Sequence, residues 1–482
     1  MKADIGLIGL AVMGENLVLN MESKGFCVAV YNRTTSKVKN FVEERGENKN
    51  IIPSFSIKEL IGNLSTPRKV MLMVKAGNAV DSTINQIIPY LEKGDIIIDG
   101  GNSNYMDTQR RYEKITSLGF YYIGTGVSGG EEGALLGPSL MPGGSEEAWP
   151  LVKPILQGIS AKAENNIPCC DWIGKGGAGH FVKMVHNGIE YGDMQIISEI
   201  YDIMRKVLKL ETQEISKIFT EWNTSELDSY LIEITSKILA YKEGNDYLIN
   251  YILDAAGQKG TGKWTAINAL NEGIPLTLIT SSVFARSLSA QKEKRVIAAK
   301  EFKSAKPEIQ SYNKEELLLN LKNALYVSKI ISYAQGFELI KKAGKEKEWN
   351  LNLGSIALMW RGGCIIRSVL LNKINNAFNN NINLENLILD DYFKNELIKN
   401  NSSLRQIVVV GALNGVATPS LSAALSWFDG YTSENTPANL IQAQRDFFGA
   451  HNYERVDKER GEFFHTNWTG KGGNTAASNY TV

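Results

Sequence analysis

The chain is short of the residues that staple small secreted domains. Of 482 residues only four are cysteines, Cys27, Cys169, Cys170 and Cys364, and only one pair lies close in sequence. That spacing makes neither a disulfide framework nor a metal knuckle, so reduced thiols and an intracellular setting are expected. Histidines also number four, and 52 Lys and Arg balance 52 Asp and Glu. A net charge of zero gives no general pull toward nucleic acid or an anionic membrane, so an anionic substrate would have to meet a local cluster of cations. No apolar run approaches the roughly 18–20 residues of a membrane span. The first residues pass directly into a strand pattern with no secretory leader, and the expected location is the cytoplasm.

What is present is a globular composition, 43% hydrophobic and 22% charged, in a chain long enough for two or three domains. The first third alternates short apolar runs (Ile5–Ile8, Cys27–Tyr31, Val70–Val74, Ile96–Asp99, Phe120–Ile123) with helical stretches (Glu15–Lys24, Thr35–Glu44, Val80–Glu92). This βαβ rhythm predicts a Rossmann-like, doubly wound parallel sheet over residues 1–176. After the glycine-rich run Gly174–Gly179 the pattern becomes helical, most clearly over His180–Lys206, Lys314–Lys342 and Gly354–Lys373. Residues 177–434 are therefore expected to form a large all-α domain. Residues 435–482 are polar yet carry Arg445, His451, Phe463, Phe464 and Trp468. So many aromatics argue against a disordered tail and for one that wraps another subunit.

Gly9-Leu10-Ala11-Val12-Met13-Gly14 lies between the first strand and the first helix. It matches a dinucleotide-binding turn with Ala11 in place of the second glycine, where backbone N–H groups and a helix N-terminus meet a pyrophosphate. A tight strand–helix turn alone would explain the glycines, but the position is the right one for a cofactor. The end of the second strand reads Asn32-Arg33-Thr34. An NAD site usually places a carboxylate there, whereas Arg33 suits a 2′-phosphate and Thr34 can donate to it, which favours NADP. Val74-Lys75-Ala76 and Gly100–Ser103 end two further strands, and Asn102 can reach both nicotinamide and substrate. Ser128-Gly129-Gly130, after the fifth strand, suits a carboxylate or sugar hydroxyls.

The most specific signal is the helix from His180. Lys183, His186, Asn187 and Glu190 stand at i, i+3, i+4 and i+7, on one helical face. Such a stripe is ordinarily apolar; here it is ionisable, and it carries the poor helix formers Asn187 and Gly188. Oxidation of a secondary alcohol needs a base for the hydroxyl proton, and a lysine of lowered pKa can serve. If a β-keto acid results and loses CO₂, the same lysine can stabilise the enolate, and Glu190 can deliver a proton to carbon.

Gly9–Gly14, Val74–Gly77, Gly94–Asn102, Gly124–Gly133, His180–Met194, Ile252–Trp264, Ser282–Arg286 and Gln442–Tyr453 resemble segments of the 6-phosphogluconate dehydrogenases, in that family's order. The resemblance implies NADP-dependent oxidative decarboxylation of 6-phospho-D-gluconate, in the oxidative pentose phosphate pathway, with no metal. It implies Lys183 as proton acceptor and Glu190 as proton donor. Substrate contacts would come from Asn102, Ser128, Gly129, Gly130, His186, Asn187 and Tyr191, with Lys259 and Arg286 on the phosphate. It further implies a homodimer in which Arg445 and His451 of one tail complete the neighbour's site. Two other readings stand beside it: a β-hydroxyacid dehydrogenase for a short unphosphorylated acid, and a non-catalytic NADP-binding sensor, which need not keep Lys183 and Glu190.

Overall fold

Strands buried on both faces need apolar side chains at consecutive positions, and the N-terminal runs supply them. In the computed structural model, which describes residues 2–472 and 475–477, strands β1 (Ile5–Ile8), β2 (Val28–Tyr31), β3 (Ile51–Pro53), β4 (Lys69–Leu72), β5 (Ile96–Asp99), β6 (Tyr121–Ser128) and β7 (Ser139–Gly144) form one sheet in the order β3-β2-β1-β4-β5-β6-β7. Helices α1 (Val12–Ser23), α2 (Thr35–Glu44), α3 (Ile57–Gly62), α4 (Asn78–Ile87), α5 (Tyr105–Ser117), α6 (Gly130–Leu136) and α7 (Trp149–Ile159) complete this part. Alternate strand residues point into two cores. Ile5, Leu7, Val28, Val30, Ile96 and Ile98 meet α1, α2 and α7 on one side. Ile8, Ala29, Val70, Leu72 and Ile97 meet α3, α4 and α5 on the other. The doubly wound sheet expected from the sequence is present.

Two strands escaped the sequence pattern, and one departs from the expected direction. β3 has only three residues and ends in a proline. β7 runs antiparallel to β6. Only ten residues separate the two strands, Gly129–Pro138, fewer than a parallel crossover needs. β7 is also the edge strand of the sheet, where Pro142 is tolerated.

The chain then turns helical: α8 (Ala178–Lys206), α9 (Thr212–Trp222), α10 (Tyr230–Ala240), α11 (Thr261–Asn271), α12 (Thr277–Ser289), α13 (Lys292–Glu301), α14 (Lys314–Glu346), α15 (Leu353–Met359), α16 (Leu370–Asn380), α17 (Asp391–Leu413) and α18 (Pro419–Tyr431). A short hairpin, β8 (Lys242–Glu243) with β9 (Asp246–Tyr247), interrupts them. α8 lies against β6 and β7 at its start, then among α11, α12 and α14. The helix expected over Gly354–Lys373 is broken. Gly362 and Gly363 weaken it, and Gly363 adopts φ +62°. Backbone groups of the break find tertiary partners instead: Ser139 N–H donates to the Gly363 carbonyl at 2.7 Å, and Tyr333 Oη to the Ile366 carbonyl at 2.9 Å. Among the described residues no helix is long and apolar enough to cross a membrane.

The chain divides into two compact units at Ala424 and Leu425, ten residues before the expected start of the tail. In the second unit α19 (Ala438–Gly449) precedes a small hairpin, β10 (Tyr453–Glu454) with β11 (Phe463–Phe464). Within the expected tail, residues 473–474 and 478–482 lie outside the described residues.

Buried Glu199 of α8 accepts from the N–H groups of Ser420 (2.9 Å) and Leu421 (3.0 Å), at the N-terminus of α18, and from Gln195. Burial pushes its carboxyl from 4.5 up to about 7, against the pull of those donors. A carboxyl raised in the folded state favours folding most below its unfolded value, and that contribution disappears as pH rises through about 7. Glu199→Gln is therefore expected to remove a fall of about 3 kcal/mol between pH 4.5 and 7. Denaturant melts across that range, wild type against variant, would read it; parallel pH profiles would rule it out.

Candidate active site

The turn between β1 and α1 is built for close approach. Gly9 sits at φ +110°, and a Cβ on Gly14 would stand 1.9 Å from the Gly9 carbonyl oxygen. Ala11 caps α1 without a side-chain hydrogen bond, which leaves first-turn N–H groups of the helix for an anion. Asn32 braces the turn: its Oδ1 accepts from Leu10 N–H at 3.1 Å, and its Nδ2 donates to the Thr34 carbonyl. A cavity of about 370 Å³ opens beside the turn. Gly9, Leu10, Ala11, Asn32, Arg33, Thr34, Val74 and Lys75 line it, joined by Lys37, Ser82, Thr83 and Gln86, which the sequence reading did not single out. Arg33, Lys37 and Lys75 bring three cations to this cavity, and its lining contains no carboxylate. That donor set fits a dinucleotide with an extra phosphate on its adenosine ribose.

Two strand-end loops are tied together by groups that carry no local sequence signal. Fully buried Asp99 accepts from Gly101 N–H (3.0 Å), Ser103 Oγ (2.6 Å) and Tyr122 Oη (3.1 Å), which shapes the loop that carries exposed Asn102. Arg111, also buried, lies 3.5 Å from Asp99. It donates to Asp81 (2.7 Å) and to the Gly77 carbonyl (3.1 Å), so the Val74–Gly77 and Gly100–Ser103 loops share one anchor.

The start of α8 is pressed onto the sheet. A Cβ on Gly126 of β6 would stand 2.4 Å from the Lys183 Cβ, and one on Gly179 would stand 2.4 Å from the Met141 carbonyl oxygen. The glycines let the helix lie directly on β6 and β7, with the Lys183 stem against the strand. A glycine inside a strand marks such an approach, and this was the signal available for Gly126. Further along, the Gly188 position is filled to contact by Thr265 of α11, which accounts for a glycine in mid-helix.

Lys183, His186, Glu190 and Ser128 come together as the helical spacing requires. Lys183 Nζ lies 3.3 Å from His186 Nδ1, and His186 Nε2 lies 3.3 Å from Ser128 Oγ. Glu190 Oε2 is 4.0 Å from His186 Nδ1. Lys183 and His186 are buried, and Glu190 is partly so. Burial pushes the Lys183 ammonium below its usual range, with the Glu190 carboxylate opposing. Burial, and then the Lys183 charge, hold His186 well below its usual range, hence neutral. Its Nδ1 then accepts from the Lys183 amine, which carries N–H donors whether charged or neutral, and its Nε2–H donates to Ser128, which leaves the Ser128 hydroxyl hydrogen for a ligand. Burial raises the Glu190 carboxyl; Lys183, Arg286 and Lys259 pull it down, and Asp193 adds to the rise. A base lowered and an acid raised on one helical face approach the neutral range from opposite sides.

Around this face, Asn187 Oδ1 is buried without a hydrogen-bond partner among the described residues. The Arg286 guanidinium stacks 3.5 Å from the Tyr191 ring centroid. Lys259 is exposed just before α11, in a segment pinned where Arg295 grips Asp254 (3.0 Å to Oδ2). Gly129 and Gly130 start α6, with Gly129 packed against the Gly363 carbonyl. The break after α15 thus forms a wall of the site and brings Cys364 near Lys183. Burial pushes that thiol up to about 12, and its Sγ donates to the Trp360 carbonyl (3.0 Å), so it is a neutral neighbour rather than a nucleophile. Behind Glu190, buried Asp193 pairs with Lys329 of α14. Arg445 and His451 belong to the second unit, on α19 and just after it.

Comparison with known proteins adds an independent finding. The family model described as the NAD binding domain of 6-phosphogluconate dehydrogenase matches residues 4–174, and the one described as its C-terminal domain matches residues 179–468. Proteins named "6-phosphogluconate dehydrogenase, decarboxylating" are 58% identical in Treponema pallidum, over all of both chains, and 57% identical in Ceratitis capitata, over 99% of each. A solved Plasmodium falciparum 6-phosphogluconate dehydrogenase superposes with a TM-score of 0.92 at 48% identity, over 96% of this chain and 100% of its own. That enzyme is described in its apo form, with its cofactor NADP+ and with its substrate 6-phosphogluconate.

Proposed function

The chain belongs to the 6-phosphogluconate dehydrogenase family, and we propose that it performs the NADP-dependent oxidative decarboxylation of 6-phospho-D-gluconate to D-ribulose 5-phosphate and CO₂, a step of the pentose phosphate pathway. The observation that carries the reading is the buried Lys183–His186–Glu190 face on α8, with a base depressed and an acid raised by their surroundings. Neutral Lys183 accepts the proton of the hydroxyl β to the carboxylate. NADP+, when bound, supplies the acceptor for the hydride that leaves the same carbon. The resulting β-keto acid loses CO₂, and the ammonium now on Lys183 donates to the enolate oxygen as its charge develops. Glu190 delivers a proton to the carbon that lost CO₂. Ser128, His186 and Asn187 orient the sugar acid, while Lys259 and Arg286 take its phosphate.

Exposed apolar side chains support a homodimer: Phe284 and Leu288 on α12, Leu270 on α11, and Leu440, Ile441, Phe447 and Phe448 on α19. In that assembly, proposed for the cytoplasm, Arg445 and His451 of one subunit complete the phosphate site of the other.

The test is reduction of the nicotinamide, followed by its near-ultraviolet absorbance, together with release of CO₂. Purified protein with NADP+ and 6-phosphogluconate is expected to show both, and gluconate or NAD+ in place of either to show little. Turnover of an unphosphorylated acid at comparable rates would favour the broader β-hydroxyacid dehydrogenase reading. Cofactor binding without turnover would favour a sensor.

A further inference from the structure

The second unit holds Arg445 in an unusual way for a residue meant to meet an anion. Its NH1 donates to Gln442 Oε1 at 3.0 Å, one helical turn earlier on α19. The other end of the same amide, Nε2, donates to the Asn452 carbonyl (2.6 Å) and more weakly to the His451 carbonyl (3.5 Å). One neutral side chain therefore grips both the arginine and the backbone that carries His451. Ala450, at φ +51°, reverses the chain so that His451 folds back on the helix, where its Nδ1 is buried and has no partner among the described residues.

The frame beneath is held by a buried carboxylate. Fully buried Asp446 accepts from His465 Nδ1 (2.7 Å), Thr466 N–H (3.0 Å) and Trp468 Nε1 (2.8 Å). The helix is thereby fastened to the segment that follows β11. The carboxylate next to Arg445 is thus engaged by other donors, and the arginine itself meets an amide.

We propose that Gln442 is a positioning residue for anion recognition: it fixes the Arg445 guanidinium and the His451 backbone as a preformed pair without neutralising the arginine's charge. The inference rests on the reading that this pair takes the substrate phosphate. An arginine held in place loses less rotamer freedom when the anion arrives. A glutamate at 442 would hold the guanidinium equally well but would compete with the anion for its charge.

Steady-state kinetics on the full-length protein test this with Gln442→Leu, Gln442→Glu and Arg445→Ala, and inorganic phosphate serves as a competitive probe. Gln442→Leu is expected to raise KM for 6-phosphogluconate about tenfold through lost preorganisation. Gln442→Glu should raise it further, with a parallel loss of inhibition by phosphate. In both variants kcat at saturation should move far less than KM, and Gln442→Glu, which loses the Nε2 donor to the Asn452 and His451 carbonyls, should melt a few degrees below wild type yet remain folded at assay temperature. If Arg445→Ala leaves KM and phosphate inhibition unchanged, the tail reading falls. If Arg445→Ala raises KM but Gln442→Glu does not, the tail reading stands and the role of Gln442 is overturned. Should Gln442→Leu fail to fold, the near-isosteric Gln442→Glu still decides.

Discussion

Lys183→Met is expected to lower kcat by about 10⁴-fold, a rise of about 5 kcal/mol in the barrier, while NADP still binds. The size follows from double use: the same amine removes the hydroxyl proton in the oxidation and stabilises the enolate in the decarboxylation. Methionine keeps the length and the contact with Gly126 but has no proton to give or take. The fold should survive, because the position is buried and an uncharged side chain avoids the desolvation that depresses the lysine. His186 loses its Nδ1 partner, a cost of about 1 kcal/mol that does not touch the cofactor cavity. Lys183→Arg should not rescue activity, since a guanidinium does not deprotonate in the working range. Rapid-mixing turnover and a separate cofactor titration give the two readouts. Near-normal turnover in Lys183→Met would remove it from the base role.

How much of this was legible in the sequence depends on the range of the interaction. The dinucleotide turn and the α8 face are local patterns, fixed by strand–helix sequence and by i, i+3, i+4, i+7 spacing, and both appear where that spacing puts them. β7 was hidden because Ser139–Gly144 contains Pro142, Gly143 and Gly144, which read as a turn; pairing with β6 at the sheet edge makes it a strand. The break at Trp360–Val369 was hidden by an apolar periodicity that continues across it, and tertiary hydrogen bonds to Ser139 and Tyr333 outweigh helix propensity there. Asp99, Arg111, Cys364 and Lys329 carry no local mark at all. Their parts in the site come from partners distant in the chain, which a single sequence does not pair. Lys259, Arg286, Arg445 and His451 are expected at the site only through resemblance, since each alone reads as a surface cation or a structural histidine.

Arg33→Ala is expected to raise KM for NADP+ about 100-fold and to change KM for NAD+ by no more than about threefold. Arg33 is exposed at the mouth of the adenosine-side cavity, beside Lys37 and with no carboxylate in the lining. Two charge-assisted hydrogen bonds from one guanidinium to a phosphate are worth about 3 kcal/mol between them at such a site. NAD+ has only ribose hydroxyls there, and no acceptor carboxylate meets them, so the wild type already holds it weakly and has little to lose. Because the arginine is exposed, its effect is screened, and KM for NADP+ in the wild type should climb with ionic strength more steeply than in the variant. An equal loss for both cofactors would mean that Arg33 contacts the adenine ring or the shared pyrophosphate. In that case the discrimination between the two nucleotides would have to come from Lys37 or Thr34, and the same measurement on Lys37→Ala would separate those two.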